Sequence, residues 1–236
     1  MHSVTLSLKF TLCVVIAVLS TILFSSCKMS NQPIETALRN QQLPVFNPHM
    51  TTFTCKVESQ FVPPVDAEAD AWFLEARQLE NPEIYEPTRD YKKIVALTRM
   101  AAERDHWKAI LNLASLYVEK RDPARNVEDA VQLVERGMQL GIPAAFDRMG
   151  TYYMNGTGVT GNATTAYAFW QRAAEMGNAE AQNFLGQKLI SVDDHPEREE
   201  WANISIGTKM IECAYSQGHA DAAYNVGLAS YIPMQR

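Results

Sequence analysis

The amino-acid sequence predicts an all-α protein, an α-solenoid of helix-turn-helix repeats preceded by an extended N-terminal segment. Small and apolar residues recur every 36 positions, glycines recur where helices are expected to end, and β-forming runs are nearly absent. Of the 236 residues, 47% are hydrophobic and 20% are charged, which is typical of a soluble globular domain. The chain is therefore long enough to bury a core, and disorder along its whole length is not expected.

The first helix of each repeat is marked by an alanine, a bulky residue four positions later and a small residue after that. The sets are Ala109-Leu113-Ala114-Tyr117, Ala145-Met149-Gly150-Tyr153, Ala181-Leu185-Gly186-Leu189 and Ala222-Val226-Gly227. The first three sets start 36 residues apart, and the fourth follows after 41 residues. The additional residues fit the polar stretch 193–197, which we interpret as a lengthened loop. The small residue should let the two helices of a hairpin approach, while the bulky residues fill the core.

The second helix of each repeat recurs in the same phase, in segments 130–141, 166–177 and 207–218, with a degenerate earlier copy in 94–105. The first three segments end in Gly141, Gly177 and Gly218. Glycine is the residue that most easily adopts the left-handed conformation found just beyond helix C-termini. A further helix is predicted upstream, from Ala67 to Leu79, with Asp66 as its N-cap.

Composition divides the chain into three parts. Residues 1–26 are predicted to be a lipoprotein signal peptide, because an uncharged apolar run over 10–24 follows Lys9 and precedes two serines. Residues 27–65 are rich in proline and polar residues and are predicted to form a tether or extended segment. Within them, 51–57 is either one short strand or an extended segment packed on the helices. Residues 66–236 are predicted to form the repeat domain, with about 3.5 repeats.

The end of the apolar run, Phe24-Ser25-Ser26-Cys27, resembles the lipobox of bacterial lipoproteins. In such proteins the cysteine is acylated and becomes the first residue of the mature chain. The resemblance implies lipidation of Cys27 and a periplasm-facing location in the bacterial cell envelope, anchored to the membrane by lipid. Lys28 favours the outer membrane if sorting resembles that of enteric bacteria. An uncleaved anchor and an ordinary secretory signal are the alternatives.

Two other cysteines, Cys55 and Cys213, remain in the predicted mature chain. In an oxidising compartment they could form a disulfide that ties the N-terminal segment to the repeats. Alternatively, they are two buried, unpaired thiols that pack as small apolar residues. No Cys/His spacing in the sequence indicates a metal site.

The sequence contains no motif that indicates catalysis, and we expect a protein that is not an enzyme, with no catalytic residue, cofactor or metal. The net charge of −6 and the lack of Lys/Arg clusters argue against nucleic acid as a partner. His106 and His219 lie at equivalent repeat junctions and are interpreted as turn positions. Asp193, Asp194 and His195 are interpreted as part of a solvated loop rather than as metal ligands.

The repeat pattern resembles Sel1-like repeats, which are related to tetratricopeptide repeats. The best-matching unit contains Ala145, Met149, Gly150, Tyr153, Gly156, Gly158, Val159, Ala166, Trp170, Ala173, Ala174, Glu175, Gly177 and Ala181. The resemblance covers about residues 90–231, although the first unit lacks the Gly-x-Gly pair in its loop. If the groove is similar to that of tetratricopeptide arrays, the first helices line a concave face that binds a protein partner. The residues expected there are Lys108, Leu111, Ser115, Asp147, Thr151, Asn183, Gln187 and Asn225.

The segment before the repeats, with Phe53-Thr54-Cys55 and Pro63-Pro64, carries a second resemblance. Lipoproteins with such a leader and Sel1-like repeats look like those encoded beside antibacterial phospholipase effectors of the type VI secretion system. In that family the lipoprotein is an immunity protein that neutralises the toxin. The resemblance implies a periplasmic lipoprotein whose partner is a secreted phospholipase. The alternative is a protein-binding scaffold or regulator in cell-envelope assembly or signalling.

Overall fold

The computed structural model describes residues 43–190 and 202–229, which contain nine α-helices, two short 3-10 helices and no strand. The helices are α1 (Ala67–Leu79), α2 (Tyr91–Glu103), α3 (Trp107–Val118), α4 (Val127–Gln139), α5 (Pro143–Asn155), α6 (Ala163–Glu175), α7 (Ala179–Ile190), α8 (Ile204–Ser216) and α9 (Ala220–Ala229). The 3-10 helices are Glu58–Gln60 and Glu86–Thr88. Among these described residues, no helix has the length and apolar character needed to cross a membrane. The predicted signal peptide, Cys27 and the lengthened loop lie outside the described residues.

Each helix packs against the next along the chain, from α1 through α9, and α9 also contacts α7. The helices form four hairpins, α1–α2, α3–α4, α5–α6 and α7–α8, followed by α9. The predicted all-α solenoid is therefore confirmed. The helix expected after Asp66 does begin at Ala67, and it pairs with α2 as a hairpin ahead of the first set of repeated residues.

Most of the helices begin with a side-chain N-cap, and in three of the first helices the capped backbone N–H is that of the repeated alanine. In α3, the backbone N–H of Ala109 donates to Nδ1 of His106 over 3.1 Å. The corresponding N–H groups of α1, α7 and α9 are capped by Asp66, Asn178 and His219, and α5 instead begins with a proline. Both histidines interpreted as turn positions are thus N-caps. The second helices begin after Asp90, Asn126, Asn162 and Asn203, which accept from the backbone N–H three residues on.

The hairpins pack closely because glycine replaces a larger residue where the two helices meet. A Cβ atom added at Gly150 would lie 2.8 Å from the indole ring of Trp170 and 3.0 Å from the carbonyl oxygen of Ala166. One added at Gly186 would lie 2.6 Å from Cγ1 of Ile211. These contacts confirm the predicted role of the small residue at Gly150 and Gly186, whereas a Cβ atom added at Gly227 would meet no atom within 4 Å. Around them a continuous core extends along the hairpins, with Phe169, Ile110, Leu113, Met149 and Leu185 among its largest fully buried side chains.

Residues 43–65, which we call the strap, lie along the second helices α6 and α8. Phe46 is buried, with its ring centroid 5.6 Å from that of Tyr167 on α6. The side-chain amide of Asn203, at the start of α8, donates to the carbonyl oxygens of Pro48 at 2.8 Å and Met50 at 3.0 Å. Residues 51–57 are extended without pairing as a strand. The strap therefore spans two successive repeats on the side formed by their second helices.

A buried polar network holds the strap where it crosses the turn between two repeats. The side chain of Gln182 is fully buried, and its Nε2 donates to the carbonyl oxygens of Lys56 and Ala174 at 3.0 and 3.1 Å. Gln217 donates to Oε1 of Gln182 over 2.9 Å and accepts from the backbone N–H of Glu58 over 3.0 Å. Because buried polar groups are costly when unpaired, this arrangement specifies one position for the strap.

Cys55 of the strap and Cys213 of α8 form a disulfide, with their Cα atoms 5.6 Å apart and a sequence separation of 158. Of the two arrangements left open by the sequence, the structure therefore contains the paired one. A cross-link that closes so long a loop restricts the unfolded chain strongly, and such bonds contribute roughly 2–5 kcal/mol to stability.

Removing this disulfide should destabilise the whole repeat domain. We expect a Cys55→Ala/Cys213→Ala variant to lose roughly 2–5 kcal/mol of unfolding free energy, because its unfolded chain regains the entropy of the open loop. Urea unfolding followed by circular dichroism measures the difference. Adding a reductant should lower the midpoint of the wild type and leave that of the variant unchanged. Equal midpoints for the oxidised wild type and the variant would contradict the expectation.

A second prediction concerns Gly177, which adopts a φ of +92° directly under the strap. A Cβ atom there would lie 2.6 Å from the carbonyl carbon of Val57 and 2.8 Å from the backbone nitrogen of Glu58. Gly218 has a similar φ of +81° with no atom within 4 Å of an added Cβ, and it is the matched control. Both Ala substitutions carry the left-handed strain of about 1–2 kcal/mol.

Only Gly177→Ala must in addition displace the strap backbone, which we expect to cost roughly 1–3 kcal/mol more. Urea unfolding of the two variants under oxidising conditions measures that difference. Equal destabilisation by Gly177→Ala and Gly218→Ala would show that the strap does not pack on this turn.

Candidate protein-binding face

The exposed sides of the first helices join into one surface, which we call the first-helix face. Side chains on successive first helices are hydrogen-bonded to each other or to the end of the neighbouring helix. The pairs are Asn112 with Glu80 at 3.2 Å, Arg148 with Ser115 at 2.6 Å, and Asn225 with Asn183 at 2.9 Å. Residues that lie one repeat apart in the sequence are therefore neighbours on this face.

The eight residues predicted to line the binding face lie on α3, α5, α7 and α9. Leu111 and Asn183 are 8% and 4% exposed, so they form the floor of the face rather than its accessible surface. Lys108 is exposed, and the other five residues are partly exposed. Asp147 occupies the repeat position of Leu111 and Asn183, which places a carboxyl group at a position that is buried in the neighbouring repeats.

Several residues of the face were not identified from the sequence. Asn112, Arg148 and Phe184 occupy the same repeat position as Asn225, and all three are partly exposed on the first helices. Counting back from Asn225 by 41 residues and then twice by 36 residues would have found them.

A cleft of about 280 Å³ opens on this face between α1, α3 and α5. Its apolar walls are Phe73, Trp107 and Leu111. The polar groups that line it are Arg77, Lys108, Asn112, Ser115 and Arg148. The cleft is therefore lined by both apolar and cationic side chains.

The positive charges of the cleft are not all neutralised. Arg77 pairs with Glu80, which also accepts from the side-chain amide of Asn112. Nζ of Lys108 lies 5.1 Å from the ring centroid of Trp107. Neither Lys108 nor Arg148 forms a salt bridge with a residue in the described part of the chain.

Asp147 lies beside the cleft on α5. The pKa of its carboxyl group is raised to about 7, chiefly by burial and also by the nearby charges of Glu180 and Glu58, while the charge of Arg148 acts in the opposite direction. A carboxyl group with such a pKa changes its protonation state near neutral pH, and groups of this kind are frequent at functional sites. It could accept a cationic group from a partner, because a positive charge would favour the ionised form.

Glu58 brings the strap to the edge of the same face. Its carboxylate accepts from the side-chain amide of Asn178 over 3.1 Å and from the backbone N–H of Ala144. Burial raises the pKa of Glu58, while these hydrogen bonds and the charge of Lys108 lower it. Two carboxyl groups, those of Asp147 and Glu58, therefore lie near the basic cleft, and Glu58 belongs to the strap.

These groups are suited to the recognition of a protein. Within residues 43–190 and 202–229, no three His, Cys, Asp or Glu side chains are placed to hold a metal ion. Partly exposed aromatic, Arg and amide side chains beside apolar floor residues are characteristic of protein–protein interfaces. The fold is an α-solenoid whose repeats resemble Sel1-like repeats, and the first-helix face is a candidate binding surface with polar groups and charges of both signs.

Solved structures show the same architecture. A Sel1 repeat protein from Oxalobacter formigenes superposes with a TM-score of 0.52 over 72% of this chain and 67% of its own, at 19% identity, which establishes likeness of fold. The sequence matches no model of a protein family and no curated protein.

Three proteins from Pseudomonas aeruginosa are more similar in sequence. Immunity protein PA5088 is 30% identical with a TM-score of 0.61, PA5086 is 34% identical with 0.62, and immunity protein Pa5087 is 33% identical with 0.60. The matches cover 77–78% of this chain and 65–66% of those proteins, so the chain spans just under two thirds of their length. The resemblance to Sel1-like immunity proteins that the sequence indicates is thereby confirmed.

The raised pKa of Asp147 predicts a pH-dependent stability. Between about pH 4 and pH 7 the folded state holds a proton on Asp147 that the unfolded state has released, so the unfolding free energy falls as the pH rises through this window. In an Asp147→Asn variant this fall in unfolding free energy is absent, because an amide side chain does not titrate. We expect it to match the wild type near pH 4 and to be more stable by roughly 2–4 kcal/mol at pH 8.

Urea unfolding at both pH values measures the effect. Asp221→Asn on α9 is the control, since Asp221 is exposed and should change stability by less than about 0.5 kcal/mol at either pH. If the difference in unfolding free energy between Asp147→Asn and the wild type does not change with pH, the raised pKa of Asp147 is contradicted.

Proposed function

We propose that this chain is an immunity protein that binds and neutralises an antibacterial effector, and that it catalyses no reaction itself. The observation that carries the proposal is the similarity, at 30–33% identity over 77–78% of this chain, to two proteins described as immunity proteins.

The effector is proposed to be a phospholipase delivered by the type VI secretion system. The motif pair Phe53-Thr54-Cys55 and Pro63-Pro64 supports this, since it resembles the leader of lipoproteins encoded beside such effectors. Binding would block the active site of the lipase or its approach to the membrane. A lipid anchor on the inhibitor would hold it at the surface where the phospholipid substrate is.

The periplasm-facing side of the cell envelope, with the outer membrane favoured, is the proposed location. The disulfide between Cys55 and Cys213 supports an exported protein, because such bonds form and persist mainly in oxidising compartments. The lipobox-like residues ending at Cys27 support anchoring by lipid. Mass spectrometry of the purified protein should find a lipid-modified Cys27 at the N-terminus, and an intact Met1 would contradict the proposal.

The first-helix face is the proposed binding surface. In addition to the cleft and the carboxyl group of Asp147, it presents Thr151 on α5, Gln187 on α7 and Asn225 on α9. These helices are all packed into the hydrophobic core of the solenoid. Rigid presentation lowers the entropy cost of association, which favours tight binding.

The test uses the mature chain with its disulfide intact to capture proteins from a strain that carries a type VI phospholipase. We expect to recover the lipase, and we expect its activity on phospholipid vesicles to fall to zero at one equivalent of this protein. Gln187→Arg should weaken inhibition roughly tenfold or more, since it places a bulky charge inside the interface. Ser205→Arg, exposed on α8, is the matched control and should leave inhibition unchanged.

Deleting the gene separates immunity from a scaffold or regulatory role in the envelope. Immunity predicts growth loss only when attacking sister cells or the effector is present. An envelope defect in isolated cells, with no phospholipase captured, would overturn the proposed function and favour the scaffold role.

A further inference from the structure

We propose that the basic cleft between α1, α3 and α5 holds a carboxylate of the protein partner, together with an apolar side chain next to that carboxylate in the partner's sequence. The occupant is thus an acidic–apolar peptide segment. The inference rests on the proposed function only in taking the occupant to be a protein. It adds to that function a specific anchoring point and the chemistry that the point selects.

The charge of the cleft is the first argument. Lys108 and Arg148 line it, and within the described part of the chain neither has a carboxylate within salt-bridge distance. Arg148 is held in place by its hydrogen bond to Ser115 Oγ at 2.6 Å. A guanidinium group positioned in this way can donate two parallel hydrogen bonds to a carboxylate, and such charge-assisted bonds are stronger than neutral ones.

The walls of the cleft are the second argument. Phe73 and Leu111 are 9% and 8% exposed, and Trp107 is partly exposed beside them. An apolar side chain inserted between these groups would bury aromatic and aliphatic surface, which favours binding. The volume of about 280 Å³ lies at the low end for small-molecule and cofactor sites, which run from roughly 300 to 1,000 Å³. The space therefore suits a few side chains of a partner.

The neighbouring carboxylates are the third argument and exclude a polyanion. Glu58 lies within electrostatic range of Lys108, and Asp147 precedes Arg148 on α5. Glu180 adds a further negative charge near Asp147. A chain of phosphates or an anionic membrane surface that reached the cleft would place repeated negative charge beside these groups. A peptide with one acidic residue meets the two cations and avoids that repulsion.

The test is a selection of random 12-residue peptides, displayed on phage, on the immobilised mature chain with its disulfide intact. The double variant Lys108→Ala/Arg148→Ala serves for counter-selection. We expect the selected peptides to be enriched in Asp or Glu next to Phe, Leu, Trp or Tyr. Synthetic copies should bind the double variant at least tenfold more weakly than the wild type, because two charge-assisted contacts are lost.

Matched controls distinguish loss of the two cleft cations from a general loss of positive charge. Lys92→Ala/Lys209→Ala removes the same charge from exposed positions on α2 and α8, and should bind the peptides like the wild type. Replacing the acidic residue of a selected peptide by its amide should weaken wild-type binding about as much as the double variant does. If Arg148→Ala impairs folding, Lys108→Gln alone replaces the double variant, because it leaves the Arg148–Ser115 hydrogen bond in place. Lys108→Gln should weaken peptide binding at least threefold.

Selected peptides without acidic residues, or equal binding to wild type and cleft variants, would overturn the inference. Failure to enrich any peptide above background would also overturn it, since the cleft would then hold no acidic–apolar segment. Capture of a phospholipase by both the wild type and the cleft variants, with equal affinity, would sink the inference and leave the proposed function standing. Conversely, peptide binding at the cleft without capture of a lipase would contradict the function alone.

Discussion

The turn between one hairpin and the next is the constraint on which the rest of the fold depends. At each of these turns a left-handed residue follows the end of the second helix, and two residues after it the first helix of the next repeat begins. The left-handed residues are Asp105, Gly141, Gly177 and Gly218. Because the turn repeats, each first helix begins at the same point of its repeat, and side chains at one repeat position lie on one surface. The first-helix face and its hydrogen bonds between repeats are consequences of this regularity.

The strap adds long-range contacts to a fold whose other contacts are mostly between neighbouring hairpins. Its disulfide and the Gln182–Gln217 network connect residues near position 55 to helices more than a hundred residues away. A solenoid without such a connection can open from either end, since each repeat is stabilised only by its neighbours. The strap therefore links the stability of the third and fourth hairpins to an oxidising environment. The strap also places Glu58 at the edge of the first-helix face, so one residue of the strap belongs to the candidate binding surface.

The binding face combines charge of both signs over a short distance. Lys108 and Arg148 lie at the cleft, while Asp147, Glu58 and Glu180 lie beside it. The cost of this pattern is visible in the raised pKa of Asp147, since a carboxyl group at a repeat position that is otherwise buried loses hydration. Alternating charges select a partner whose charges run in the complementary order and oppose other partners, so they contribute to specificity more than to affinity. Such discrimination is what an immunity protein would require.

The helices, their period and the left-handed glycines could be predicted from the sequence, because each depends on residues close together in the chain. The N-cap roles of His106 and His219 could be anticipated as turns for the same reason. Only the tertiary structure decided the pairing of Cys55 with Cys213, the path of the strap and the burial of Leu111 and Asn183. It also decided the basic cleft, whose walls come from three helices of different repeats. These features depend on contacts between residues that are distant in the sequence, which form only when the hairpins stack. No local sequence pattern specifies those contacts.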